Sequence, residues 1–179
     1  MVKIIGLIGP TGSGKDTFCC YAQKKYKNVF CFRFSDPLSQ ALKIFFDAVK
    51  KEDQQWLAIV LRERFGGDIL GKAIAKKIQG IKKGIVILNG VRMSEEYKMI
   101  KKWGGKIIYI NADPKIRWQR VRKRGEKKDD RCSYQQFLER EKAATEIQIA
   151  QLGEKADWRI DNNGSKKDFY QKIEQILKK

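Results

Sequence analysis

Nine residues near the amino terminus, Gly9-Pro10-Thr11-Gly12-Ser13-Gly14-Lys15-Asp16-Thr17, constrain this chain more than any others. They read G-x-x-x-x-G-K-D-T and follow directly on the apolar run Val2-Lys3-Ile4-Ile5-Gly6-Leu7-Ile8. A short β-branched strand, a glycine-rich loop and then a helix is the setting that a phosphate-binding P-loop requires. Glycines let successive backbone N–H groups turn inward around a polyphosphate, because no Cβ blocks the approach. Lys15 adds a point charge for the β- and γ-phosphates, and the following helix presents the positive end of its dipole. Gly9, Thr11, Gly12, Ser13, Gly14, Lys15, Asp16 and Thr17 are therefore the expected nucleotide cradle. Where such loops carry a magnesium-ligating Ser or Thr after the lysine, this chain has Asp16, with Thr17 one residue later. Those two are the candidate metal residues, holding the ion directly or through water.

Length and composition narrow the remaining choices. A chain of 179 residues can bury a full core as one domain, or as one domain with an insertion. No apolar run approaches the ~18 residues that span a bilayer, and the amino terminus is strand-like, unlike a signal peptide. Cysteines 19, 20, 31 and 132 show no C-x-x-C spacing, and histidine is absent, which argues against zinc. Free thiols and no membrane segment fit a cytoplasmic protein. The formal net charge of +18 admits a nucleic-acid partner. Its lysines and arginines are scattered, however, in pairs such as Lys24-Lys25, Lys76-Lys77 and Lys101-Lys102, the pattern of solvated helix surfaces. Nucleic acid is thus not favoured, while the excess charge suits anionic substrates such as nucleotides. Nothing in the pattern specifies an oligomeric state.

Hydrophobic periodicity alternates strand and helix along the chain. Strands are predicted at 2–8, 29–34, 85–88, 106–110 and 156–160. Helices are predicted at 15–26, over most of 37–81 with a break at Gly66-Gly67, at 94–103, from Pro114 onward, and at 165–177. Strands alternating with helices imply an α/β fold, a five-stranded parallel sheet covered on both faces. The expected division is a single domain over 1–179, with a core of 1–36, 84–124 and 153–179. The long segments 37–83 and 125–152 exceed ordinary crossovers, and long insertions in compact domains are usually functional.

Ligands of open α/β sheets bind beyond the carboxyl ends of the strands, so the residues after each strand carry the site. After the second comes Arg33-Phe34-Ser35-Asp36-Pro37-Leu38. Asp36 either caps the helix that Pro37 opens or faces the loop as a base or magnesium-shell carboxylate, and the two roles are compatible. After the third strand comes Asn89-Gly90-Val91-Arg92, with Asn89 where hydrolase-type P-loop proteins place a magnesium-organising Asp. Arg92 is suited to grip a phosphate, or else pairs with Glu95 or Glu96. After the fourth, Arg117, Arg120 and Arg124 share one helix face, leading into a charged loop that ends at Arg131. The turn Asp161-Asn162-Asn163-Gly164-Ser165 after the fifth could bracket a base with its backbone.

Taken together, these segments resemble the P-loop nucleoside-monophosphate-kinase-like family. G-K-D-T and Ser-Asp-Pro-Leu are similar to phage-type deoxynucleoside monophosphate kinases. Arg124-Gly125 through Asp130, Phe137-Leu138-Glu139-Arg140-Glu141 and Asn163-Gly164-Ser165 resemble archaeal adenylate-kinase-like and dephospho-CoA-kinase-like proteins. The resemblance implies a P-loop NTPase fold with a helical acceptor-binding insertion at 37–83 and a lid region at 125–152. It implies Gly9 to Thr17 on donor phosphates, Arg92 on the acceptor phosphate, Arg120 with Arg124 on the lid, and the base near Asn163. The expected activity is transfer of the γ-phosphate of ATP, with Mg2+, to a phosphate-bearing small molecule. The first choice of acceptor is a nucleoside or deoxynucleoside monophosphate and the second is dephospho-CoA. Lys15, Asp36, Arg92, Arg120 and Arg124 are the candidate catalytic residues. The rivals are an NTP-hydrolysing switch or nucleic-acid-linked ATPase, against which the missing strand-end Asp speaks, and a non-enzymatic nucleotide sensor.

Overall fold

The computed structural model describes residues 2–125, 131–142 and 144–178. Five strands, β1 (Val2–Ile8), β2 (Val29–Arg33), β3 (Gly84–Asn89), β4 (Lys106–Asn111) and β5 (Trp158–Asp161), form one sheet in the order β2-β3-β1-β4-β5. Every pairing is parallel. A parallel sheet is covered on both faces, which is why β1, β3 and β4 are nearly continuous Ile, Val and Leu.

Alternate residues divide these strands between two clusters. Ile5, Leu7, Ile87, Ile108 and Ile110 pack with Phe18 and Ala22 of α1 (Lys15–Lys25) and with Phe169 and Ile173 of α9 (Lys166–Leu177). On the other face Ile8, Val86, Leu88 and Ile107 meet Leu70 and Ile74 of α4 (Ile69–Ile78) and Ile100 of α5 (Ser94–Lys102). Each such Val, Leu, Ile or Phe side chain, fully buried, contributes roughly 1.5–3 kcal/mol. Among the described residues no helix is long and apolar enough to cross a membrane.

The long segment after β2 folds as α2 (Asp36–Leu42), α3 (Lys51–Phe65) and α4, with the expected break at Gly66-Gly67 and a run of turns at 43–50. α6 (Pro114–Arg124) starts with proline in its first turn and is capped by Asp113, whose carboxylate accepts from the Lys115 N–H at 2.8 Å. Beyond it lie α7 (Tyr134–Glu141) and α8 (Ala144–Glu154). Val121, Cys132 and Phe137 form a small cluster of their own with Trp118 and Tyr134, joining α6 to α7. By contrast α8 buries Ile149 and Leu152 in the second main cluster.

The fifth strand begins at Trp158, two residues later than the periodicity predicts. Asp157 is the reason: its carboxylate accepts from the Ile107 N–H at 2.8 Å and from Lys101 at 2.8 Å, tying the β4 edge through a side chain.

Register sets the site. Leu7 of β1 lies opposite Asn89 of β3, and Asn89 lies opposite Arg33 of β2. The carboxyl ends of three adjacent strands therefore finish level with one another, beside the loop that begins at Gly9.

Candidate functional site

The loop between β1 and α1 is held from three sides. Inside it, the Ser13 N–H donates to the Pro10 carbonyl at 3.2 Å and the Phe18 N–H to Gly14 at 2.9 Å. Lys15 Nζ reaches back to the carbonyls of Gly9 at 2.6 Å and Pro10 at 2.9 Å, so the loop's own oxygens hold the cation where phosphate oxygens would otherwise take it. Gly14 occupies left-handed space at φ 111°, and a Cβ there would strike the Asn162 amide and crowd the Phe169 ring. A Cβ on Gly9 would strike the Ile110 carbonyl. Ser13 is fully buried, while Thr11, Gly12 and Thr17 are partly exposed around the loop.

Asn162, only 6% exposed, pins this loop to β5. Its Nδ2 donates to the Ser13 carbonyl at 2.8 Å, and its N–H to Asn111 at 2.8 Å. The next residue, Asn163, is exposed and stabilises the turn, with Oδ1 accepting from the Asp113 N–H at 2.7 Å and Nδ2 donating to Asp161 at 2.8 Å. Sequence reasoning singled out Asn163, yet Asn162 is the residue that touches the loop. The strand's own alternation was the available signal, since Ile160 and Asn162 are buried while Asp161 and Asn163 are exposed.

On the β2–β3 side four polar residues meet. Asp16 Oδ1 accepts from Asn89 Nδ2 at 2.7 Å and from Arg33 Nη2 at 2.9 Å. Burial alone would raise the Asp16 carboxyl, but Arg33, Asn89 and Lys15 outweigh it and hold the group below the ordinary carboxylate range. Asp36 Oδ2 accepts from the Arg33 N–H at 2.7 Å. That corrects the helix-cap reading of Asp36. The helix begins at Asp36 itself, Ser35 stands at the cap, and the carboxylate turns back to close the 33–36 turn.

The strand-end carboxylate missing at Asn89 is also accounted for. Hydrolase-type loops pair a neutral hydroxyl after the lysine with an Asp at the strand end. Here the neutral and the acidic residue have exchanged places, and Asp16 supplies the charge beside Asn89. This removes the argument that the site lacks such a carboxylate. The donor set suits a hard divalent cation, because Asp16 is ionised and Asn89 Oδ1, buried, has no hydrogen-bond partner among the described residues.

The turn after β3 is organised by Glu96, which the sequence offers as a side-chain partner for Arg92 and the structure places on the backbone instead. Glu96, at the start of α5, is buried and accepts from the N–H groups of Arg92 at 2.9 Å and Met93 at 3.3 Å. Its other oxygen pairs with Arg62 of α3 at 3.3 Å. Burial raises the Glu96 carboxyl, with Arg92, Arg62 and Met93 opposing the shift. Glu96 thus fastens the 92–93 backbone to α3 through Arg62, and the Arg92 side chain is half-buried. An acid in a helix's first turn is a local signal; the Arg62 contact, 34 residues away, is not.

Three arginines of α6 separate by role. Arg117 is buried and structural: it donates to the Ala112 carbonyl at 2.8 Å, to Thr11 at 3.3 Å, and forms a two-pronged pair with Glu141 of α7. Arg120 donates to the Asn162 carbonyl at 2.8 Å, and its buried Nη1 has no partner among the described residues. Arg124 closes the helix before Gly125, which turns at φ 62°. The charged loop over 126–130 lies outside the described residues.

The AAA-domain family profile matches residues 5–148. A UPF0200 protein of Sulfurisphaera tokodaii is 31% identical over 180 residues, covering 100% of this chain and 98% of the relative. The chain belongs to the UPF0200 family. Among solved structures, shikimate kinase from Bacteroides thetaiotaomicron superposes with a TM-score of 0.62 at 16% identity, covering 99% of both chains. Shikimate kinase from Acinetobacter baumannii, in complex with shikimate, gives 0.60 at 16% identity, covering 99% of this chain and 93% of that one. At such identities the likeness concerns the fold. This UPF0200 protein therefore has a P-loop, nucleotide-binding, kinase-like fold, of the kind that generally binds ATP with Mg2+.

Proposed function

We propose that the protein is a small-molecule kinase moving the γ-phosphoryl group of ATP to a nucleotide-type acceptor, a nucleoside or deoxynucleoside monophosphate before dephospho-CoA. The observation that carries this reading is the convergence of Lys15, Arg92, Asp36 and Arg120 on one end of the sheet. Phosphoryl transfer asks mainly for positioning and charge neutralisation, which a lysine, several arginines and a carboxylate supply. Gly9 to Thr17 hold the donor phosphates, and Lys15 exchanges its loop carbonyls for phosphate oxygens. Arg92 binds the acceptor's phosphate. Arg120, with a spare Nη1, and Arg124 face the transferring group. The base lies near Asn163. Asp16 and Thr17 would hold Mg2+, directly or through water, and the ion would supply positive charge against the phosphates.

The segment 37–83 is the acceptor-binding insertion, and the lid lies within 125–152. Exposed aromatic side chains in the insertion, Phe45, Phe46, Trp56 and Phe65, favour an acceptor that carries a base. In the reaction an acceptor oxygen bonds to the γ-phosphorus and the β–γ bridging oxygen leaves with ADP. A monophosphate acceptor presents an oxygen already largely deprotonated at pH 7, since its second pKa is about 6. A hydroxyl acceptor such as dephospho-CoA would instead give its proton to Asp36.

ADP release from Mg-ATP, measured against each nucleoside and deoxynucleoside monophosphate and dephospho-CoA, tests the proposal. Release that depends on one acceptor class supports it. Release stimulated only by DNA or RNA would overturn it in favour of an ATPase, and nucleotide binding without turnover in favour of a sensor.

A further inference from the structure

Arg33 is drawn into the carboxylate cluster in a way that the phosphate-transfer reading leaves unused. Its guanidinium donates to Asp16 at 2.9 Å, while its backbone N–H is held by Asp36 at 2.7 Å. The backbone is further fixed by pairing of β2 with β3, where Arg33 lies opposite Asn89. Only the side chain is free to change partners. Both members of the ion pair are well exposed, Arg33 at 58% and Asp16 at 56%, and pairs of that kind are weak and easily exchanged.

Behind the pair lies a different kind of group. The Asn89 side chain is 5% exposed and abuts Asp16 through Nδ2. Its orientation is set by chemistry, since a carboxylate can only accept and the amide must offer its nitrogen. That leaves Oδ1 of the same amide, buried, with no partner among the described residues. An orphaned carbonyl oxygen on an amide bonded to a carboxylate adds a second hard donor of the kind a divalent cation takes. Asp36, whose charge also acts on Arg33, offers the guanidinium another anion once it leaves Asp16.

We propose that Arg33 is a stand-in cation: it neutralises Asp16 while no nucleotide is bound, and yields that place to a divalent cation that Asp16 and the Asn89 oxygen then hold. The inference rests on the nucleotide-binding reading only for what delivers the cation. It accounts for a carboxylate after the P-loop lysine without leaving that charge unpaired.

Mn2+ binding to the nucleotide-free full chain, followed by the electron paramagnetic resonance of free Mn2+, tests this without ATP, acceptor or turnover. Wild type is expected to bind weakly. Arg33→Gln should tighten binding by up to about fivefold, the scale of removing one competing surface charge worth up to about 1 kcal/mol. Adding Asp16→Asn should abolish the gain. Arg33→Lys, which keeps the charge, should stay within about 1.5-fold of wild type and serves if the glutamine variant does not fold. Equal Mn2+ affinity in wild type and Arg33→Gln, a gain that survives Asp16→Asn, or Arg33→Lys binding as tightly as a neutral variant should would each overturn the proposal. A failed acceptor panel beside a clear Mn2+ gain would sink the kinase reading and leave this one standing.

Discussion

Asn89→Asp is expected to destabilise the protein at neutral pH, and less so as the pH falls. Asn89 Nδ2 donates to Asp16 Oδ1 at 2.7 Å, so an aspartate there sets a second carboxylate against the first. Two unit charges about 4 Å apart repel by roughly 4 kcal/mol at an effective dielectric near 20. Exposure of Asp16 and the neighbouring Arg33 reduce that figure, whereas losing a hydrogen bond to a charged acceptor adds about 1.5–3 kcal/mol. Protonation sets a ceiling. Neutralising one carboxyl of ordinary pKa about 3.9 at pH 7 costs about 4 kcal/mol, at 1.36 kcal/mol per unit, and the proton can then restore a hydrogen bond. A loss of about 2–4 kcal/mol follows, or roughly 4–16 °C in Tm at about 2–4 °C per kcal/mol for a chain of this size. The pair's upper pKa is raised in the folded state. The deficit is therefore complete above that value, shrinks as pH falls through it, and is gone near the unfolded value of about 4. Thermal melts of both proteins from pH 7 to 4.5 read the difference directly, and Mg2+ should raise the variant's Tm more than the wild type's. Equal melting at pH 7, or a deficit that stays constant with pH, would refute the contact on which the argument stands.

Lys15→Ala should lower phosphoryl transfer by about 3 kcal/mol or more in the transition state, over 10²-fold, with melting little changed because Lys15, the first residue of α1, is partly exposed and outside the core. Steady-state turnover beside a melt checks it, and activity within a few-fold of wild type contradicts the P-loop role. Arg92→Ala should raise KM for the acceptor much more than for ATP, with both substrates varied; a rise confined to ATP moves Arg92 to the donor side. Asp36→Asn keeps an oxygen for the Arg33 N–H, so melting should hold while kcat falls about 10² through loss of the negative charge. Full activity in that variant leaves Asp36 as the closure of the 33–36 turn.

Much of the fold was legible because its signals are local. An apolar run ending at a glycine-rich loop with a lysine admits few local structures, and β1, the P-loop and α1 lie where the pattern puts them. Pro114 at a helix start and Ser165 at a cap declare themselves within a turn. What escaped is set by contacts between distant segments. Nothing near Ile149 and Leu152 says that α8 packs into the same cluster as Ile107, because that depends on where β4 runs. Arg117 shares a helix face with Arg120 by spacing, yet Glu141 and the Thr11 carbonyl draw it into a structural role.

The site follows the same division, and the exchange between Asp16 and Asn89 shows it most sharply. Read position by position, Asn89 is a strand end without its carboxylate and Asp16 is a P-loop without its hydroxyl. Two departures then count separately against a metal site. Strand register joins them, because Leu7 opposite Asn89 brings the start of α1 beside the end of β3, and one amide-to-carboxylate hydrogen bond makes the two departures a single exchange. The same register carries Arg33 level with Asn89, and so supplies the charge that an acid in that place requires. A local pattern search weighs each residue against its own position. The chemistry depends on the sum of charges within one hydrogen-bonded cluster, and that sum is conserved when its members trade places.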